Sequence, residues 1–180
     1  MEEKVHVFKD SLVIGDAGES IVYNYLQSLP TVSSVLDVSN SRMYQEVDVD
    51  FLAKMTTGDE LKIEVKTDTY RSGNIYYETV SAEEVNSIGG FQKTTCDFMF
   101  YYFINMDTLY ILKMDEYREW FNKHEEEFIQ KGYQKRPVNR RWNGSTYTSV
   151  GYAFPIHLIE DKNNTWWSKF YLNKNDWQNT

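Results

Sequence analysis

The strongest constraint on this fold comes from two neighbouring segments, 47–55 and 60–67, in which apolar and charged residues alternate. Side chains on a β-strand point alternately to opposite faces, so this pattern predicts two strands that each have an apolar and a charged face. The sequence Thr56-Thr57-Gly58-Asp59 between them is typical of a turn. We therefore expect a β-hairpin whose charged side chains form one common surface.

Charged side chains on this hairpin are candidates for a catalytic site. Glu64 and Lys66 share a face of the second strand, roughly 6.6 Å apart at about 3.3 Å per residue. Asp50 lies on the charged face of the first strand, and Asp48 is a rival on that face. Carboxylates are costly to hold together without a compensating proton or cation, and a nearby lysine indicates chemistry on phosphate or water beside a divalent metal. The alternative is a solvated sheet face with ordinary ion pairs.

Residues 10–29 are predicted to form a helix, because apolar residues recur there at intervals of three and four. At about 100° per residue, Glu19 falls at the border of the apolar stripe, from which its carboxylate can reach a cleft beside the sheet. The alternative is an exposed glutamate in the first helical turns, which the helix dipole favours.

In order and spacing, these motifs resemble those of the PD-(D/E)XK nuclease superfamily, also called the restriction-endonuclease-like fold. The matching positions are Glu19 for the helical acid, Asp50 for the first motif acid, and Glu64 and Lys66 for Glu-x-Lys. Val49 stands where the superfamily usually has proline, which keeps Asp48 open as a rival to Asp50.

The resemblance implies an α/β fold with an αβββαβ core, in which a mixed central sheet is flanked by helices. We expect residues 1–180 to form a single nuclease-like domain, with the core at about 10–114 and a C-terminal elaboration at about 115–180. The hydrophobic pattern places further strands at 32–38, 74–80, 97–104 and 109–114 and a charged helix at 115–131. The segment 81–84 resembles a capping box, which predicts a short helix before Gly89-Gly90.

The resemblance also implies a metal-dependent hydrolase that cuts DNA phosphodiester bonds, most simply as an endonuclease. Asp50 and Glu64 would bind Mg²⁺, with the carbonyl of Val65 as a further ligand and Mn²⁺ as a substitute metal. Lys66 would orient the attacking water or help to deprotonate it, and Glu19 would bind a metal directly or through water.

Two further acids are accessory candidates for the same site. Glu78 lies on the predicted strand 74–80, and Asp48 is the second acid of the first hairpin strand. For Glu78 the alternative is an ordinary solvent-facing strand residue.

A basic loop at 135–144 is the candidate DNA-binding segment, because arginines contact phosphates and a tryptophan can stack on an unpaired base. The residues concerned are Arg136, Arg140, Arg141 and Trp142, with Arg71 as an outlying candidate just after the second hairpin strand. The alternative is a solvated loop that balances the acidic run 125–127.

Composition limits these hypotheses. The net charge of −8 disfavours a protein that coats nucleic acid, although it leaves room for a nuclease with a basic contact face. Two alternatives therefore stay open: a catalytically inactive nuclease-fold module that binds nucleic acid or a protein, and a structural protein without a nucleic-acid role. A homodimer or a protein partner is expected, with the pair Trp166-Trp167 as a candidate subunit contact.

The same composition predicts a cytoplasmic protein. The single cysteine, Cys96, excludes an internal disulfide and is expected to be a small buried hydrophobe. The charged segment 1–4 is unlike a signal peptide, and the longest mostly apolar stretch, 98–104, is too short to cross a membrane.

Overall fold

Three sheets and a few helices make up the computed structural model, which describes residues 6–141 and 143–172. In chain order the elements are β1 (His6–Val7), α1 (Phe8–Ser28), β2 (Val32–Asp37), α2 (Arg42–Gln45), β3 (Phe51–Met55), β4 (Glu60–Asp68), β5 (Asn74–Ala82), β6 (Ser87–Ile88), α3 (Gly90–Lys93), β7 (Phe98–Phe103), β8 (Thr108–Lys113), α4 (Met114–Gln130), β9 (Gln134–Lys135), β10 (Val138–Arg140), β11 (Thr146–Thr148), β12 (Val150–Pro155) and β13 (Trp167–Tyr171). Single turns of 3₁₀ helix occupy Glu83–Val85 and Ile156–Leu158.

The largest sheet has the strand order β13-β8-β7-β4-β3-β2. Strands β2, β3 and β4 form an antiparallel meander directly after α1, and β7 then pairs parallel to β4. The remaining pairs, β7 with β8 and β8 with β13, are antiparallel. The expected mixed α/β fold with a mixed central sheet is thereby confirmed, and β4 lies in the interior of the sheet.

Helix α1 covers one face of the large sheet, because its apolar residues form one stripe. The buried residues of this layer are Ile21, Val22, Tyr25 and Leu26 from the helix and Phe51, Ile63, Val65, Phe100 and Tyr102 from the strands. The helix predicted over 10–29 is thus confirmed in type and position, since it runs from Phe8 to Ser28 and Pro30 follows its end.

An aromatic core covers the opposite face of the large sheet. There α4 and the second sheet, of order β6-β5-β12-β9, pack against β7 and β8. At its centre the rings of Tyr77 and Phe121 stack with centroids 3.8 Å apart, and Phe121 also contacts Tyr152 edge to face. The face of β4 that carries Glu64 is therefore buried at this residue, which disfavours the alternative of a solvated sheet face.

Several expectations about elements are corrected by the structure. The strand expected at 47–55 begins only at Phe51, because Asp48 has a left-handed backbone with φ of 44°. In place of the short helix expected before Gly89-Gly90, the chain forms a 3₁₀ turn at 83–85 and the short strand β6. The basic segment 135–144 contributes Lys135 to β9 and Val138–Arg140 to β10, where a loop was expected.

Two predictions about single side chains have opposite outcomes. Cys96 is buried as a free thiol, as expected, and burial raises its pKa to about 12. Trp166 is buried within its own chain, stacked on Tyr117 and packed on Trp120, so the expectation that it forms a subunit contact is wrong.

Among the described residues, the helices lack the length and apolar character that a membrane crossing requires.

Candidate active site

The candidate site lies where β4 extends past the beginning of β3. The pairing of these strands ends at Phe51 opposite Ile63, whereas β4 continues to Asp68 and remains paired with β7 on its other side. The edge of β4 that faces β3 therefore becomes accessible to other groups from Glu64 onward. Asp50, the residue immediately before β3, fills the first position along this edge.

Asp50 is anchored to β4 by a hydrogen bond. Its Oδ2 accepts the backbone N–H of Val65 at 2.7 Å, and its own N–H donates to the carbonyl of Ile63 at 2.9 Å. Burial raises the pKa of Asp50 to about 8, and the carboxylate of Glu64 adds to the rise against the opposing Val65 N–H. The N–H and C=O of one strand residue point in the same direction, so the carbonyl of Val65 faces the Asp50 side as well.

Glu64 and Lys66 form a close ion pair on the inner face of β4. Nζ of Lys66 lies 2.5 Å from Oε1 of Glu64, and the Glu64 side chain is 4% exposed compared with 40% for Lys66. Burial alone would lower the pKa of Lys66, but Glu64, Asp50 and Asp48 hold it above its ordinary value. The other oxygen of Glu64, Oε2, is buried and has no hydrogen-bond partner among the described residues. A buried carboxylate oxygen without a partner is costly, so this position favours a cation or a water.

Glu19 reaches the same site from α1. Burial raises its pKa, and the nearby carboxylates of Asp16, Asp37 and Glu64 add to the rise. Gly18 is the reason that the helix comes so close: a Cβ at this position would stand 1.8 Å from Oγ1 of Thr67 on β4. A glycine is needed for such a close approach, so Gly18 positions Glu19.

Asp48 and Glu78 lie on the other side of Lys66, around α3. Asp48 pairs with Lys93 at 2.8 Å, and its carbonyl accepts the hydroxyl of Thr94 at 2.5 Å. Oε2 of Glu78 accepts the N–H of Gly90 at 3.3 Å. Burial raises the pKa of Glu78, while the Gly90 N–H and the Lys66 ammonium oppose that rise. Glu78 is thus partly buried and hydrogen-bonded, and it is not a purely solvent-facing strand residue.

The site as a whole carries excess negative charge. The carboxylates that interact electrostatically with Lys66 are those of Glu19, Asp48, Asp50, Glu64 and Glu78. Lys66 and the Lys93 that pairs with Asp48 offset only part of this charge. An oxygen-rich site with a net negative charge suits a hard divalent cation, and the partnerless Oε2 of Glu64 fits such a ligand.

The number of metal-binding side chains is nevertheless small. Within residues 6–141 and 143–172, no group of three or more Asp, Glu, His or Cys side chains is arranged to hold a metal ion. A cation beside Asp50 and Glu64 would therefore depend on backbone oxygen and water for the rest of its ligands. Mg²⁺ commonly binds in this way, through one or two carboxylates and several waters.

A cleft of about 830 Å³ is lined by Lys66 and by the acidic residues Asp68 and Glu78. Residues of the basic segment, including Lys135, Arg136 and Asn139, and Tyr147 of β11 also line it. The cleft therefore connects the predicted catalytic residues with the segment predicted to bind DNA.

The predicted DNA-binding residues differ in their surroundings. Arg136 pairs with both carboxylate oxygens of Glu83 and lines the cleft, so it does not balance the acidic run 125–127. The guanidinium of Arg141 lies over the ring of Tyr147, 4.6 Å from its centroid. Arg140 on β10 and Arg71 after β4 are exposed. Trp142 lies outside the described residues.

Sequence reasoning missed several residues that shape this site. Asp68 follows Glu64 and Lys66 on the same face of β4, and its two oxygens accept the N–H of Tyr70 at 2.6 Å and the hydroxyl of Tyr101 at 2.8 Å. The two-residue periodicity that selected Glu64 and Lys66 also identifies Asp68. Gly18 and Thr94 carry no such signal, because their roles depend on contacts with Thr67 and Asp48, which are distant in sequence.

Comparison with known proteins does not assign this chain to a family. No protein-family model matches the sequence, and no curated protein matches it either. Among solved structures, the chain is similar to the bacterial homing endonuclease I-Ssp6803I, with 16% identity over 59% of this chain and 67% of the endonuclease chain. The TM-score is 0.43, so the argument for function rests on the geometry of the site.

Proposed function

We propose that this chain is a metal-dependent nuclease that hydrolyses DNA phosphodiester bonds as an endonuclease. One observation carries the proposal: Glu64 is buried with one oxygen on the Lys66 ammonium and the other without a partner among the described residues, beside an Asp50 whose pKa is raised to about 8. Raised carboxylate pKa values and a close lysine in a cleft are typical of catalytic sites.

The proposal includes a restriction-endonuclease-like core in one nuclease domain. Supporting it are the order α1-β2-β3-β4, the parallel pairing of β7 with β4, and the position of Asp50 and Glu64-x-Lys66 at the edge of β4. The single turn of α3 takes the place of a longer helix between the meander and the parallel strand. The boundary between a core at about 10–114 and an elaboration at about 115–180 remains part of the proposal.

Asp50, Glu64 and the carbonyl of Val65 would hold Mg²⁺ or Mn²⁺. When bound, the ion would supply charge stabilisation to the scissile phosphate and would make a bound water more acidic. This fits the raised pKa of Asp50, because a neighbouring cation favours the ionised carboxylate that burial disfavours.

Lys66 would act as a hydrogen-bond donor in this reaction. Because its pKa is held above the ordinary value, its amine stays protonated at neutral pH and cannot serve as the proton acceptor. It would instead orient the attacking water and stabilise the charge that develops on the phosphate oxygens. Glu19, whose pKa is raised by burial and neighbouring acids, is better suited to accept the proton of that water.

Arg136 would contact the DNA backbone within the cleft. Arg140, Arg141 and Arg71, which lie outside the cleft lining, would make further contacts with the backbone, and Trp142 would add another contact. Arginine forms paired hydrogen bonds with phosphate, and the basic segment offsets the overall charge of −8 locally. A homodimer or a protein partner would be required to cut both strands of a duplex at one place.

A second candidate function is a catalytically inactive module of the same fold that binds nucleic acid or a protein. It is favoured by the absence, within the described residues, of a three-residue metal-binding group. The two candidates differ in turnover and share a binding cleft.

A cleavage assay tests the proposed function. Purified protein is incubated with supercoiled plasmid and with labelled oligonucleotides in the presence of Mg²⁺ or Mn²⁺. We expect Asp50→Ala and Lys66→Ala each to lower the cleavage rate at least about 100-fold, since each removes an interaction with the transition state. Lys62→Ala and Glu60→Gln are matched controls, because both residues are exposed on the same strand. Cleavage by both site variants at the wild-type rate would disprove the assignment, and binding without cleavage by the wild type would favour the inactive module.

A further inference from the structure

We propose that the cleft beside Lys66 binds an unpaired nucleotide next to the scissile phosphate. The enzyme would then act on DNA at or beside unpaired bases. This inference rests on the proposed nuclease function and adds its substrate class.

The size of the cleft argues against a paired duplex. A volume of about 830 Å³ is that of a cube about 9 Å on each edge. A B-DNA duplex is wider than its major groove, which is about 12 Å across, so it can lie over the cleft but cannot enter it as one nucleotide can. Pockets of roughly 300–1,000 Å³ accommodate a single small organic molecule, and one nucleotide is a ligand of that class.

The lining of the cleft suits a nucleobase. Four tyrosines contribute to it: Tyr70, Tyr76, Tyr101 and Tyr147. Tyr70 is 50% exposed, and the hydrogen bond from its N–H to Asp68 fixes its backbone beside β4. Aromatic rings bind bases of any sequence by stacking, because every base offers a flat face.

Polar groups between these rings can read the edge of a base. Asn139 donates from Nδ2 to the hydroxyl of Ser149 at 3.1 Å, and both residues line the cleft. An amide that donates on one side still has its carbonyl oxygen as an acceptor for a base N–H. Such pairing of a stacking surface with amide and hydroxyl groups is typical of sites for unpaired bases.

Three cations that can contact phosphate line the cleft: Lys66, Lys135 and Arg136. Lys66 pairs with Glu64, beside which the scissile phosphate would lie, and Arg136 pairs with Glu83. Asp68 and Glu78 also line the cleft, and the Arg141 guanidinium covers one face of Tyr147. A nucleotide in the cleft would therefore have cations within its lining to contact its phosphates.

Binding in EDTA tests this inference separately from catalysis. Fluorescence anisotropy is measured with three labelled probes: a 20-nucleotide single strand, the fully paired duplex, and the same duplex with one unpaired nucleotide. We expect the single strand and the bulged duplex to bind at least about tenfold more tightly than the paired duplex. Tyr70→Ala and Tyr147→Ala should each weaken binding of the single strand about fivefold or more, the range expected from loss of one base stack.

Tyr171→Ala is the matched control, because Tyr171 is a 75% exposed tyrosine on β13 that does not line the cleft. The affinity of the Tyr171→Ala variant for the single strand should stay within twofold of the wild-type affinity. Crosslinking of a bromodeoxyuridine strand to the wild-type protein gives a second measurement that needs no variant, and we expect attachment to cleft tyrosines.

Equal affinity for all three probes, or crosslinks confined to other surfaces, would overturn the inference even if the protein cleaves DNA. Tight binding of unpaired DNA that depends on Tyr70 and Tyr147, without cleavage in Mg²⁺ or Mn²⁺, would support the nucleotide site and disprove the nuclease assignment. The two failures can therefore be distinguished.

Discussion

The Asp50 carboxylate accepts the backbone N–H of Val65 at 2.7 Å and so takes the place of a strand residue at the edge of β4. Burial raises the pKa of Asp50 to about 8, and the Glu64 carboxylate adds to the rise while the Val65 N–H opposes it. The structure thus holds an acid where its ionised form is disfavoured, and several measurable properties follow.

The first prediction concerns stability and pH. A carboxyl group whose pKa is raised on folding holds its proton in the folded state between its unfolded and folded pKa values. The free energy of unfolding therefore falls as the pH rises from about 4 to about 8. Asp50→Asn keeps an acceptor for Val65 but carries no charge, so it should flatten this decline. At pH 8 we expect the melting temperature of Asp50→Asn to exceed that of the wild type by about 2–4 °C or more, which corresponds to about 1 kcal/mol in the free energy of unfolding.

Urea denaturation at pH 5 and pH 8 measures that effect. Asp59→Asn, in the exposed turn between β3 and β4, is the control. Its free energy of unfolding should fall with pH as steeply as that of the wild type. If the unfolding free energy of Asp50→Asn fell with pH as steeply as that of the wild type, the raised pKa of Asp50 would be contradicted.

The second prediction concerns the Glu64–Lys66 pair. Lys66→Met leaves the buried Glu64 carboxylate without its partner and should lower the free energy of unfolding by about 1–3 kcal/mol. This is less than the 3–5 kcal/mol typical of a fully buried pair, since the Lys66 side chain is 40% exposed. The double variant Glu64→Gln/Lys66→Met should recover part of that loss, because no unpaired charge remains. A double-mutant cycle from denaturation data gives the coupling energy, and additivity of the two single changes would exclude a significant interaction.

The third prediction concerns the approach of α1 to β4. A methyl group at Gly18 would overlap Oγ1 of Thr67, so Gly18→Ala should destabilise the protein by about 1–3 kcal/mol and displace Glu19. Gly15→Ala is the matched control: it lies in the same helix with nothing within 4 Å of the added Cβ, and should stabilise by up to about 1 kcal/mol.

Thr67→Ala should rescue Gly18→Ala in part, because the hydroxyl that the new methyl group meets has been removed. Thermal melts of the four proteins test this relationship. A Gly18→Ala protein as stable as Gly15→Ala would show that the helix and strand are not in close contact.

The fourth prediction concerns cation binding. A ligand that binds only the folded state adds about 1.4 kcal/mol to the free energy of unfolding when its concentration is ten times its dissociation constant. Mn²⁺ at that concentration should therefore raise the melting temperature by about 3–6 °C. The double variant Asp50→Asn/Glu64→Gln should lose this shift, whereas Asp59→Asn should keep it. An equal shift in all three proteins would place the cation elsewhere.

The sequence predicted the strands of the large sheet well because their pattern is local. Two-residue alternation along 60–67 identified β4 and the shared face of Glu64 and Lys66. The same rule failed at 47–50, where Asp48 adopts a left-handed backbone. That turn is held by the contacts of Asp48 with Lys93 and Thr94, which lie more than 40 residues further along the chain.

The second sheet could be predicted only in fragments. Strand β5 was recognised from its alternation, but its partner β12 pairs Val150 with Val80, and β9 joins at the other edge of β12. Pairings between strands so far apart in the sequence cannot be identified from the periodicity of either strand. For the same reason the sequence suggested Glu78 and Arg136 individually, but not the cleft that they share with Lys66.

The interior position of β4 has a consequence for the durability of the site. Glu60–Ile63 pair with β3, whereas Glu64–Asp68 pair only with β7 and Asp50 holds the Val65 N–H on the other side. Amide protons bonded within core strands exchange with deuterium mainly through large-scale opening of the protein. Glu64 and Lys66 therefore stand on a strand that opens slowly, so the arrangement is maintained between successive encounters with a ligand.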